Sequence, residues 1–152
     1  MQKYLRPKEK FIFLSCIEKK DYEKEKSLMV QQKHETSPEG KRIYFVLPNG
    51  QLHGKLSFFW LDGTKSLECA FVDGEKHGLE KIWDKQGQLL QETNWRKGKK
   101  HGQEIFWRDS RIKSFGHWED GTKHGEHVHI FFELAVQKIF YDKGKILKEI
   151  IL

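Results

Sequence analysis

The chain has 152 residues, of which 33% are charged and 37% hydrophobic, and its formal net charge is +6. That length suggests one domain, and the lack of any 18-residue apolar run excludes a membrane-spanning helix. The basic excess favours an acidic partner (a protein face, anionic lipid or nucleic acid) without choosing among them.

At the N-terminus, Lys3, Arg6, Lys8 and Lys10 precede the apolar stretch Phe11-Ile12-Phe13-Leu14-Ser15-Cys16. Phe13–Cys16 resembles the end of a bacterial lipoprotein signal, which would anchor the chain through Cys16. The stretch is shorter than the roughly 7–15 apolar residues of a signal segment, so a short buried strand is the preferred reading. Cys16 and Cys69 lie 53 residues apart with no CxxC pairing and read as free thiols of a reducing compartment. The expected location is therefore cytoplasmic. Lys19–Lys26 is a mixed-charge run, expected as a solvated loop or short helix. Ser27–Gln32 could form a strand that pairs, through a turn at Thr36–Gly40, with Ile43–Leu47. Residues 1–40 are thus an irregular N-terminal extension holding a diverged first hairpin, and residues 41–152 a repeat array.

Within the array the pattern Gly-x-x-His-Gly recurs four times. It comprises Gly50, His53 and Gly54; Gly74, His77 and Gly78; Gly98, His101 and Gly102; and Gly121, His124 and Gly125. Successive first glycines are 24, 24 and 23 residues apart, and a degenerate copy opens at Gly144. A fixed period in this range signals a repeat architecture, whose extended regular face serves binding more often than catalysis. Each unit reads as two short strands and two turns. In the second unit these are the Asp73-Gly74 turn, a strand over His77–Trp83, a turn at Asp84–Gly87 and a strand over Gln88–Trp95. Glycines at this frequency would cost about 1 kcal/mol each inside a helix. The expected fold is all-β: an antiparallel meander of hairpins. The third unit is one residue shorter because its inner turn, Arg108–Arg111, lacks Gly, which predicts a tighter or differently shaped hairpin there.

Aromatic residues recur in register. Leu47, Phe71, Trp95, Trp118 and Tyr141 lie three residues before each repeat-opening Gly. Phe59, Trp83, Trp107 and Ile130 form a second series after His-Gly. Equal offsets stack as cross-strand columns, and both columns are expected to be structural core.

The segments Trp95–Gly102 and Trp118–Gly125, with Phe71–Gly78 close behind, resemble MORN repeats: an aromatic, a polar-Gly turn, then a basic residue before His-Gly. The common eukaryotic form has a second Gly two residues after His-Gly. Here those positions hold Leu56, Glu80, Glu104 and His127. With the longer period, this looks like the bacterial variant grouped as YwqK-type antitoxins. The resemblance implies a β-meander array and a protein-binding role that neutralises a partner toxin. It supplies no catalytic residues.

Equivalent histidines of His53, His77, His101 and His124 would lie two strands apart, about 9–10 Å, so one metal ion could not collect two of them. A local role is expected, with the imidazole bonding turn backbone or packing on the next unit's aromatic. His127 and His129 alternate on one strand without a third ligand, and no nucleophile, zinc or phosphate-loop motif occurs. The reading is therefore of a non-enzyme that needs no cofactor. The better functional candidates are Lys76, Lys100 and Lys123, one residue before each His, with Lys97, Lys99 and Lys143 in neighbouring turns. Stacked on one edge, they would form a basic ridge for an acidic protein partner. The alternative is a membrane-surface scaffold holding anionic lipid on the same ridge. Nucleic acid is disfavoured, because the Trp columns are committed to packing.

Overall fold

A computed structural model describes residues 29–131 and 135–152. The readings placed on Phe11–Cys16 and Lys19–Lys26 lie outside these residues. Among the described residues the chain is all strand and turn. Twelve strands form one open antiparallel sheet. They are β1 (Gln31–Ser37), β2 (Gly40–Val46), β3 (Gly54–Phe59), β4 (Lys65–Val72), β5 (Glu75–Lys76), β6 (Gly78–Trp83), β7 (Leu89–Arg96), β8 (Lys99–Arg108), β9 (Arg111–Glu119), β10 (Thr122–Phe131), β11 (Ala135–Asp142) and β12 (Lys145–Ile151). Each pairs with its sequence neighbours as a meander; β5 and β6 are two parts of one strand line, both paired with β4. No described helix is long and apolar enough to cross a membrane.

Two kinds of turn account for the glycine spacing. The outer turns Asp73-Gly74, Lys97-Gly98, Asp120-Gly121 and Lys143-Gly144 have both residues at positive φ, for example 52° and 84° in the first. That is the two-residue turn whose twist matches the flanking strands, and glycine at its second position is free of steric cost. The inner turns after Trp60 and Asp84 are one residue longer and close with Gly63 and Gly87. In the third unit, Asp109 and Ser110 make the two-residue turn themselves, at φ 52° and 58°. The expected tighter hairpin is present, and it removes the one residue.

The His-Gly pairs are bulges. In β8, Lys100 faces Trp95 and Glu104 faces Thr93, so three residues of β8 stand against the single Asn94. The same shift falls between His124 and His127 in β10. Gly54, Gly78, Gly102 and Gly125 take φ between 71° and 97° there, which a bulge of this kind needs.

The N-terminal hairpin forms, shifted from the expected start at Ser27: β1 begins at Gln31 and pairs with β2 from Gln31↔Val46 to Ser37↔Gly40. The sheet therefore runs across the boundary drawn at residue 40.

No second layer covers the sheet among the described residues; the substantial contacts between elements are those of neighbouring strands. The core is correspondingly thin. Its buried apolar members are Val46, Leu47, Leu56, Cys69 and Val128. Apart from Leu47, the members of both columns are half-buried. The rings pack against neighbouring strands of the same sheet, and among the described residues no second layer lies over them. The buried residues include a transverse row on one face. Leu56 pairs with Cys69; Glu80, Thr93, Glu104, Gly116 and His127 continue it strand by strand.

Candidate functional site

The His-Gly bulge decides what this row does. Residues four apart on a regular strand are separated by about 13 Å. The bulge instead brings Lys76 onto Glu80 and Lys100 onto Glu104, the latter with Nζ 2.6 Å from Oε1. Each lysine also stands over an indole of the same face: Lys76 is 4.7 Å from the Trp95 ring centre and Lys100 4.7 Å from that of Trp118. The indoles complete the set. Trp95 Nε1 donates to Glu80 at 3.2 Å, and Trp118 Nε1 donates to Glu104 at 2.9 Å. Thr93 Oγ1 adds a bond to Glu104 at 3.2 Å. A buried carboxylate without partners is costly, and these two are held by an ammonium and an indole N–H together.

The same three positions change together along the array. The first unit holds Leu52, Leu56 and Phe71, with no charge and no ring N–H. The second and third hold Lys, Glu and Trp. The fourth holds Lys123, His127 and Tyr141. There Lys123 Nζ lies 5.0 Å from the Tyr141 ring centre and 3.5 Å from its Oη. His127 is wedged edge-on between Trp118 and Tyr141, at 5.9 and 4.9 Å between ring centres. Its Nε2 is 2.8 Å from the His117 carbonyl oxygen, so that nitrogen carries the proton and donates. Burial holds the His127 pKa below the ordinary histidine value, against the carbonyl contact that raises it, with Lys123 pushing the same way as burial. Burial also pushes the Cys69 thiol up to about 11, as for an inert structural cysteine.

Lys76, Lys100 and Lys123 do stack on one face, but not as free turn charges. The first two are 32% and 30% exposed and are neutralised by their own glutamates. Of the basic ridge expected from spacing, Lys76 and Lys100 are thus held in internal pairs, and Lys123 is not. Lys97 and Lys99 are exposed on the outer-turn edge, as is Lys143.

The residue before each His has a backbone task as well. Gly74, Gly98, Gly121 and Gly144 donate their N–H to the carbonyls of Leu52, Lys76, Lys100 and Lys123, at 2.8 to 2.9 Å. Each turn is thereby tied to the unit before it. The neighbouring N–H of Asp73 reaches His53 Nδ1 at 3.3 Å, and that of Asp120 reaches His101 Nδ1 at 3.4 Å. These two rings bond turn backbone, as expected. His77 uses its own N–H on the Ala70 carbonyl, and His124 Nδ1 is buried 3.6 Å from Asp142 Oδ1, too far for a hydrogen bond. Across the same edge, Arg96 donates to Asp120 at 2.9 Å and holds its carboxyl below the usual range.

Glu80, Glu104 and His127 were not among the candidate residues read from spacing. Their signal was present: they share one offset, two residues after each His-Gly, where the first copy has Leu56. A separate open cleft of about 620 Å³ lies by the β1–β2 hairpin, with Phe58, Trp60, Ile82 and Trp83 in its walls and the Arg42–Glu35 pair at its rim.

Compared with known proteins, the chain matches no family model and no curated protein.

Proposed function

We propose that this chain is a protein-binding repeat module of the MORN-variant kind, acting as an antitoxin or immunity-type factor that neutralises a partner protein. The observation that supports it most is the uncovered single-layer sheet: a long regular surface with half-exposed rings and no second layer among the described residues. Such surfaces suit extended contact with another protein. With Lys76 and Lys100 internally paired, the candidate lysines left for an acidic partner are Lys123 and the turn residues Lys97, Lys99 and Lys143.

The test is affinity capture of the tagged chain from a lysate of its native host, followed by co-expression with the partner recovered. A stoichiometric protein whose growth arrest this chain relieves supports the reading. Association should slow with added salt and slow further in Lys97→Glu/Lys99→Glu/Lys143→Glu. Binding to anionic vesicles with no protein partner would replace it with a membrane-surface scaffold.

A further inference from the structure

The second and third units display, within this chain, what their shared geometry holds: a carboxylate between a lysine ammonium and an aromatic-ring donor. The fourth unit keeps both donors and lacks the carboxylate. Lys123 stands over Tyr141 as Lys100 stands over Trp118, at 5.0 and 4.7 Å from the ring centres. The Tyr141 hydroxyl takes the place of the indole N–H. At the position of Glu104 the chain has His127, whose Nε2 is engaged by the His117 carbonyl. Among the described residues no carboxylate pairs with Lys123. Both Lys123 and Tyr141 are half-buried, so a group from outside can reach them.

We infer that Lys123 and Tyr141 form an open carboxylate site, which an aspartate or glutamate side chain of a protein partner completes. This rests on the protein-binding reading and assigns it a specific anchor. The bond would be a charge-assisted hydrogen bond from an ammonium already desolvated on one side by the ring, which strengthens it over a fully exposed pair. Lys97, Lys99 and Lys143 would attract an acidic segment to the edge, and Lys123 would seat one residue of it. Because His127 stands where a glutamate would close the site, His127→Glu should close it from within, on the pattern of Lys100 and Glu104. Gly116 opposite leaves room for the exchange.

The probe is acetyl-hexaglutamate amide, with acetyl-hexaglutamine amide as control, titrated by NMR into the full chain. Wild type should bind the acidic peptide and ignore the neutral one. Lys123→Met should weaken binding about tenfold, Tyr141→Phe by a few-fold, and Lys97→Met by less than twofold. His127→Glu should match Lys123→Met; if it fails to fold by circular dichroism, Lys123→Met and Tyr141→Phe still decide. A wild-type chain that ignores the peptide overturns the site, as does equal binding by wild type and Lys123→Met. Neither result bears on whether the chain has a protein partner. Conversely, loss of peptide binding in Lys123→Met keeps the site even if no toxin is recovered.

Discussion

Gly116 and His127 face each other across β9 and β10, so closely that a Cβ added to Gly116 would lie 2.1 Å from His127 Nδ1. Gly116 is not in the left-handed region, so no backbone strain calls for a glycine there, and the nearest atoms to its missing Cβ are those of the His127 ring. Gly116 stands between Glu104 on β8 and His127 on β10, whereas Thr93, two strands earlier in the row, stands between Glu80 and Glu104. Gly116→Ala should therefore destabilise by about 1–3 kcal/mol, the usual cost of overpacking. In Gly116→Ala/His127→Ala the clash is gone, and denaturant midpoints should show the alanine at 116 costing less than about 0.5 kcal/mol in that background.

His127 also carries a pH dependence. Its folded pKa is lowered, so the unfolded chain binds its proton more readily. Above the unfolded value of about 6.5 both states are neutral and the group adds nothing. As pH falls below about 6.5, stability is lost until the folded ring also titrates. Unfolding free energies at pH 8 and pH 5.5 should differ, and the difference should shrink in His127→Phe. An unchanged difference would place the titration on another group.

The Lys–Glu–Trp sets predict non-additive exchange. Trp95→Phe removes the N–H that Glu80 accepts and should cost about 1–3 kcal/mol. Lys76→Glu should cost more, since it sets two carboxylates together in a buried row. Replacing all three by the first unit's set, as Lys76→Leu/Glu80→Leu/Trp95→Phe, should return to within about 1 kcal/mol of wild type. Calorimetric melting of the single and triple variants measures this. A triple variant as poor as the sum of its parts would show that the ion pair is worth more than its apolar replacement.

Ser110 sits at φ 58° beside Asp109 at 52°, where the outer turns of the array have glycine second. Ser110→Gly should stabilise the third unit by about 0.5–1 kcal/mol, because relief of the left-handed strain exceeds glycine's added unfolded entropy. Hydrogen exchange of the β8 and β9 amides should slow.

The repeat, its strands and its turns were legible in the sequence because they depend on local chemistry. Positive φ needs glycine or a short polar residue, and a period set by turns appears directly in the order of Asp73-Gly74, Asp120-Gly121 and their equivalents. The shortened third unit could be read the same way, from a missing glycine at Arg108–Arg111. Burial could not, because Trp95 and Trp118 have the same composition cue whether or not a second layer covers them. Nor could the fate of the lysines. Sequence places Lys100 and Glu104 four residues apart, which on a strand means separate; only the two extra residues accommodated at His101-Gly102 bring them into contact. The bulge is a property of how β8 registers against β7, and register is decided by the assembled sheet. That same register singles out Lys123, whose equivalent carboxylate position is occupied by a histidine ring already bonded elsewhere.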